Sequence, residues 1–147
     1  MAIDQFTRSL PMMLYRTLDA VMPRFRKIFN DFGLTEQQWR VLRVLWETDD
    51  VTIKDLADFT LIAAPSLVGI VDRLERDGLV TRQRSTTDRR KVNVLVTTAG
   101  SELEDRIMPR VASAYVELKQ SVDADTWSQV LVGLQRIAVQ RGVERSE

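Results

Sequence analysis

The stretch from Val51 to Gly100 constrains this chain more than any other. It carries two helix patterns, Ile53 to Phe59 and Ala64 to Gly78, followed by two β-branched, alternating runs, Leu79 to Arg84 and Val92 to Thr97. The two runs bracket a basic turn, Ser85-Thr-Thr-Asp-Arg-Arg-Lys91. In the second helix Leu67, Ile70/Val71 and Leu74 recur at helical spacing, so one face is buried and the other presented. Ala64-Pro65-Ser66 suits the first turn of that helix, and Gly78 suits its stop. Helix, helix and basic hairpin in this order predict a winged helix-turn-helix. Its second helix is sized for the DNA major groove, and the hairpin beside it reaches an adjacent minor groove. The expected fold class is mainly α with a small β-hairpin.

Whole-chain charge does not support a nucleic-acid partner, because 21 Lys and Arg balance 21 Asp and Glu. The footprint must be local. Between Arg73 and Lys91 there are seven basic residues (Arg73, Arg76, Arg82, Arg84, Arg89, Arg90, Lys91) against three acidic ones (Glu75, Asp77, Asp88), a net of +4. Cysteine and histidine are absent, which removes disulfides, thiol redox sensing, cysteine nucleophiles, histidine bases and the usual zinc ligand sets. The carboxylates fall mainly on exposed helix faces, with no Gly-rich phosphate loop and no metal-ligand cluster. No catalytic residue, metal or cofactor is therefore expected, and the chain does not read as an enzyme. Without an apolar run of membrane-spanning length or a secretory pattern at the N-terminus, no membrane association and a cytoplasmic location are expected.

The 147 residues, 44 % hydrophobic, allow one domain with extensions. Apolar positions from Phe6 to Phe32 predict a long helix, with Pro11 near its start, Pro23 kinking or breaking it, and Gly33 as its C-cap. Thr35-Glu-Gln-Gln38 reads as a capping box ahead of a second helix ending near Glu47. Val51-Thr52 suits either a cap or a short strand. A fifth helix runs from Thr98 with Leu103, Ile107 and Val111 inward and a bend at Pro109; a last one follows the Asp123/Asp125 cap signal. Glu144 to Glu147 looks like a loose tail. The end helices carry more apolar surface than a compact winged domain needs, so an obligate-type homodimer through them is expected, matched to a palindromic operator. The expected division is 1–34 for dimerisation, 35–100 for DNA binding and 101–147 for further dimerisation.

The candidate DNA-binding residues follow from this. On the presented helix they are Pro65, Ser66, Val68, Gly69 and Arg73: Ser66 for a phosphate or base edge, Val68 for a thymine methyl, Gly69 for close backbone approach. Arg73 suits a strong base or phosphate contact, or a salt bridge to Asp72 or Asp77. On the hairpin they are Arg82, Arg84, Thr86, Thr87, Asp88, Arg89, Arg90 and Lys91. Guanidinium groups at the tip suit a narrow minor groove, and Asp88 suits a bidentate pair that orients Arg90.

Asp72-Arg-Leu-Glu-Arg-Asp-Gly-Leu-Val80, Asp88-Arg-Arg90 and Val94-Leu-Val-Thr-Thr-Ala-Gly100 together resemble the signature of the multiple-antibiotic-resistance regulator (MarR) family. Leu34-Thr-Glu-Gln-Gln-Trp-Arg40 and Pro65-Ser-Leu-Val-Gly-Ile70 resemble, within it, the regulators of homoprotocatechuate (4-hydroxyphenylacetate) degradation operons. The resemblance implies a dimeric, ligand-responsive repressor of an aromatic-catabolic or efflux operon, with Arg90 in the minor groove. Many family members carry Thr and Arg where this chain has Val68 and Gly69, which weakens direct base readout by this helix.

The resemblance also implies a small aromatic acid as effector. Among the rings and cations of the first two helices, Trp39 suits stacking on a ligand, Arg16 or Arg43 suits its carboxylate, and Met13 suits the lining. The same side chains are equally at home as core and surface. A winged-helix protein-interaction module without specific DNA binding is the alternative to the regulator; the consecutive basic residues of the hairpin argue against it.

Overall fold

The computed structural model describes residues 2–143, so the tail from Glu144 to Glu147 lies outside the described residues. The order is α1 (Ala2–Thr7), α2 (Leu10–Asp31), α3 (Glu36–Glu47), β1 (Val51–Thr52), α4 (Ile53–Thr60), α5 (Ala64–Arg76), β2 (Val80–Arg84), β3 (Val92–Val96), α6 (Thr98–Lys119) and α7 (Ala124–Val143). Two compact units divide within α6, between Val111 and Ala112.

The first unit is built on local signals that agree with its packing. Gly33 and Gly78, at φ +71° and +75°, close α2 and α5 with the same Schellman geometry. The N–H of Leu34 returns to the Phe29 carbonyl at 2.9 Å, and that of Leu79 to Leu74 at 3.0 Å. Thr35 and Gln38 form the capping box of α3, with both reciprocal bonds in place. Thr52 does both things its sequence allowed: it pairs in β1 and caps α4 through a second box with Asp55.

The sheet has three antiparallel strands in the order β1-β3-β2, one more than the expected hairpin. Register runs from Val80↔Val96 to Arg84↔Val92. Val51, Val80 and Val94 turn inward to a core that includes Phe29, Val41, Leu42, Leu56, Leu67, Val71, Leu74 and Ile107. Every position of the expected buried stripe on α5 is buried.

The N-terminal segment differs from a single long helix. α1 ends at Thr7, Ser9 becomes an N-cap, and α2 begins at Leu10 with Pro11 in its first turn. A proline ring there clashes with the carbonyl four residues earlier and offers no N–H to it, so the helix restarts. Pro23 lies inside α2 and Pro109 inside α6, and both helices continue through them.

The second unit holds the end of α6 and α7. Asp123 caps α7 by accepting the Thr126 N–H at 2.8 Å and its hydroxyl at 2.7 Å, and those bonds hold its carboxyl below the ordinary range. Lys119 lies over the Trp127 ring. Val130, Leu131, Ile137 and Val139 of α7 are exposed in the single chain. Among the described residues no helix is long and apolar enough to cross a membrane, and no cluster of potential metal ligands occurs.

Candidate nucleic-acid interface and effector site

α5 presents the face its sequence offers. Pro65, Ser66, Val68, Asp72, Arg73 and Arg76 are exposed, and Gly69 is half-exposed with nothing within 4 Å of where a Cβ would stand. Its N-cap is Ala63, which cannot accept from the first-turn amides, so those N–H groups carry no side-chain cap. Pro65 has no N–H and the Ser66 N–H turns back to the Ala63 carbonyl at 3.0 Å, so it is chiefly the helix dipole that favours an anion at that end.

The wing loop from Ser85 to Lys91 is shaped from within. Ser85 N–H donates to the Lys91 carbonyl at 2.9 Å, Lys91 N–H to the Asp88 carbonyl at 3.0 Å, and the Ser85 hydroxyl accepts the N–H groups of Thr87 and Asp88 at 3.3 Å each. Asp88 does not form the anticipated bidentate pair with the Arg90 guanidinium. Its carboxylate accepts the Arg90 backbone N–H at 3.0 Å instead. Two residues apart in a tight turn, an aspartate reaches the amide more readily than the distant end of the side chain. Arg89, Arg90, Thr86 and Thr87 therefore project from an ordered turn with exposed side chains.

Arg82 is held inside the molecule. Its guanidinium meets Asp72 at 2.6 Å and Glu75 at 3.3 Å, and its backbone N–H donates to Glu75 at 2.8 Å. This ties β2 to α5 and occupies Asp72, one of the two carboxylates offered to Arg73; Asp77, the other, is not paired with it either, so Arg73 forms no ion pair among the described residues. Arg76, Arg84, Arg89, Arg90 and Lys91 form none either. These cations all lie on α5, the end of β2 and the wing loop, which concentrates positive charge there in a chain of zero net charge, although Lys91 is close enough to Asp55 to help lower its carboxyl.

The base of the wing meets α3 and α6 at Gly100. Thr97 Oγ1 donates to the Gly78 carbonyl at 2.6 Å and accepts the Gly100 N–H at 3.1 Å, while Trp46 Nε1 donates to the Gly100 carbonyl at 3.2 Å. A Cβ on Gly100 would stand 2.3 Å from the Leu79 carbonyl oxygen and 2.7 Å from Val96 Cγ1, so only glycine fits. Sequence reading did not find this contact, because Trp46 and Gly100 are far apart in the chain and the glycine is not at a turn.

Trp39 and Arg43 are brought together, and Met13 and Arg16 are not joined to them. Trp39 is half-buried, stacked on Phe29 with centroids 4.6 Å apart and edge-on to Trp46 at 5.7 Å. Arg43 lies over the Trp39 ring at 5.9 Å, donates to Met108 Sδ at 3.8 Å and pairs with the exposed Glu47. Met13 and Arg16 stand exposed on α2. Arg40 does not face this group; it donates to the Thr60 carbonyl and pins the end of α4 to α3. A cleft beside Trp46 is lined by Leu45, Thr48, Val94, Val96, Ser101 and Glu104.

A three-stranded wing, a presented helix and an unpaired cluster of cations define a winged-helix DNA-binding protein. The MarR family model matches residues 34–92. The homoprotocatechuate degradative operon repressor of Escherichia coli is 38% identical over 122 residues, covering 83% of this chain and 82% of that protein. Among solved structures, NadR in complex with 4-hydroxyphenylacetate shares 31% identity at TM-score 0.81, covering 92% of this chain and 98% of the other. The repressor CouR bound to a 23-mer DNA duplex shares 27% at TM-score 0.84, covering 91% and 95%. The chain belongs to the MarR family of transcriptional regulators. Its homologues are DNA-binding regulators, not enzymes, and are typically dimers.

Proposed function

We propose that this regulator is a cytoplasmic homodimeric repressor whose two wings and recognition helices read a palindromic operator, and that a small aromatic acid releases it. The reading head is residues 35–100; residues 1–34 and 101–147 supply the dimer contacts. Leu10, Leu14 and Leu18 on α2 and Val130, Leu131 and Ile137 on α7, exposed in one chain, are the surface such contacts would bury.

In this reading Pro65, Ser66, Val68, Gly69 and Arg73 meet the major groove. Arg84, Thr86, Thr87, Arg89 and Lys91 meet phosphates, and Arg90 enters the minor groove. Arg82 and Asp88 act indirectly, one bracing the wing against α5 and the other shaping the turn that presents Arg90. The cluster of unpaired cations on α5 and the wing is the observation that carries this assignment.

The effector stacks on Trp39 and places its carboxylate on Arg43; Met13 and Arg16 stand about 20 Å along α2 from Phe29, against which Trp39 packs, so they serve as lining only where the second copy of the dimer brings its α2 to the site. Glu47, the present partner of Arg43, is 62% exposed, and a surface pair of that kind holds about 0–1 kcal/mol, so a carboxylate ligand displaces it cheaply. The ligand named in the NadR complex and the operon named for the Escherichia coli relative favour phenolic carboxylates and aromatic catabolism.

Fluorescence anisotropy tests this on a duplex that the full-length protein selects from a randomised pool, measured against a scrambled duplex near physiological salt. The selected duplex should bind roughly a thousandfold tighter or more. 4-Hydroxyphenylacetate or homoprotocatechuate should weaken it, and Arg43→Ala should abolish that response. Equal binding to both duplexes overturns the operator reading, and indifference to every aromatic acid overturns the effector reading.

A further inference from the structure

We infer that Leu61, in the turn that delivers the recognition helix, reads a thymine methyl at the edge of the operator's major groove. Leu61 combines two properties that are each costly in a turn. Its φ of +57° lies in the left-handed region, where an L side chain crowds its own backbone and glycine is the ordinary occupant. Its side chain is 81% exposed, the most exposed of the large hydrophobic residues described.

The backbone there has no freedom to relax. The Leu61 N–H closes α4 on the Ala57 carbonyl at 3.0 Å. On one side, the buried Thr60 donates its hydroxyl to the Leu56 carbonyl at 2.5 Å, accepts the Ile62 N–H at 3.3 Å and receives Arg40 on its carbonyl. On the other side, Ile62 is buried in the core. The turn therefore imposes the left-handed conformation, and at 81% exposure the leucine side chain buries little against the described residues to repay it. Strain retained with little internal compensation points outward, to a binding function.

The occupant is set by what adjoins Leu61. Phe59 at 64% and Val68 at 46% exposure flank it in sequence, and Ala63, Ala64 and Pro65 between them are exposed. Leu61 stands three residues before Ala64, the first residue of α5, and in the DNA-reading assignment that end of the helix meets base edges. Among the groups of the major groove, the thymine 5-methyl is the apolar one. Leu61 thus adds an apolar group to an interface whose side chains are otherwise mostly cations and hydroxyls, and it supplies a second apolar contact beside that of Val68. The inference rests on the DNA-reading assignment above.

The test uses the full-length protein and the duplex it selects from a randomised pool, with each thymidine replaced singly by deoxyuridine, which deletes the methyl alone. Wild type should lose about three- to fivefold in affinity at specific positions of each half-site, the worth of one buried methyl. Leu61→Gly should bind more weakly than wild type, lose sensitivity at one of those positions and melt at a higher temperature. Leu61→Asn, which tolerates the same backbone, should lose the same sensitivity without freeing the turn. Unchanged deoxyuridine profiles in both variants, or no deoxyuridine effect in wild type, overturn the inference while leaving the operator reading intact. Failure to select any duplex overturns both.

Discussion

Replacing Gly100 with alanine drives a methyl group into the base of the wing. The new Cβ would stand 2.3 Å from the Leu79 carbonyl oxygen, where ordinary contact begins near 3.4 Å, so one of them must retreat by about 1 Å. The oxygen is not free to move, because it accepts the Thr97 N–H at 3.1 Å. Gly100 is no freer, since Thr97 holds its N–H and Trp46 its carbonyl. Overpacking of this kind costs about 1–3 kcal/mol, and losing one of these hydrogen bonds about 1 more. Alanine returns about 0.4–1 kcal/mol by restricting the unfolded chain. The net loss is about 2 kcal/mol, a fall in Tm of about 4–8 °C for a chain of this size. Urea unfolding followed by circular dichroism, at one fixed protein concentration because dimerisation is linked to folding, measures it. Gly69→Ala is the control: its added Cβ meets nothing within 4 Å and it lies outside the proposed dimer surface, so the protein should be unchanged or slightly stabilised. A Gly100→Ala protein as stable as wild type would refute the packing argument.

Gly69→Ala should stabilise α5 by about 0.5–1 kcal/mol, because the Cβ enters open space, yet weaken operator binding, because that space is where DNA approaches. Parallel denaturation and anisotropy measurements would contradict this if affinity were retained. Arg90→Ala should weaken the selected duplex more than the scrambled one, as a narrow-groove contact requires; an equal loss on both, with the slope of log K against log salt reduced by about one, would place Arg90 on phosphate instead. The Thr52 side-chain and backbone bonds hold the Asp55 carboxyl below its ordinary value. A depressed folded value means that the stabilisation is complete above the unfolded pKa, near 4, and is lost as pH falls through the folded one. Asp55→Asn should therefore flatten the acid limb of the stability curve, and Thr52→Ala should cost about 1 kcal/mol at neutral pH; an unaltered acid limb would remove Asp55 from the linkage.

The helix ends were legible because each is written locally. Gly33, Gly78 and the Thr35 to Gln38 box carry their conformations in a few adjacent residues, and all three stand where the sequence placed them. The break before Leu10 was not legible from hydrophobic spacing, which runs on across Ser9 while Pro11 stops the hydrogen bonds. Features that depend on folding back were hidden. Arg82 counted as one more basic residue until β2 returned along α5 and met Asp72 and Glu75. Leu61 gave no sign of its left-handed backbone, since leucine is not a residue that announces it. Trp46 read as one position of an amphipathic stripe, and its partner Gly100 as part of a motif with no stated reason. The packing at Leu79 and Val96 supplies that reason.

These hidden contacts bear on how the proposed effector would act. Trp39 touches Trp46 edge-on, Trp46 donates to the Gly100 carbonyl, and Gly100 is packed without slack against Leu79, just before β2, and Val96, the last residue of β3. The candidate ligand surface and the base of the wing are thus joined by contiguous contacts within one compact unit. Contact alone transmits nothing: a ligand shifts an equilibrium only by its difference in affinity for the two states. Here that difference has a physical source. In the proposed reading, a ring inserted on Trp39 would press on the edge contact to Trp46, and a glycine that cannot tolerate even a methyl would pass that displacement to the wing. A bias of about 1–3 kcal/mol in head spacing is enough for release, comparable to the cost worked out above for a single methyl at Gly100.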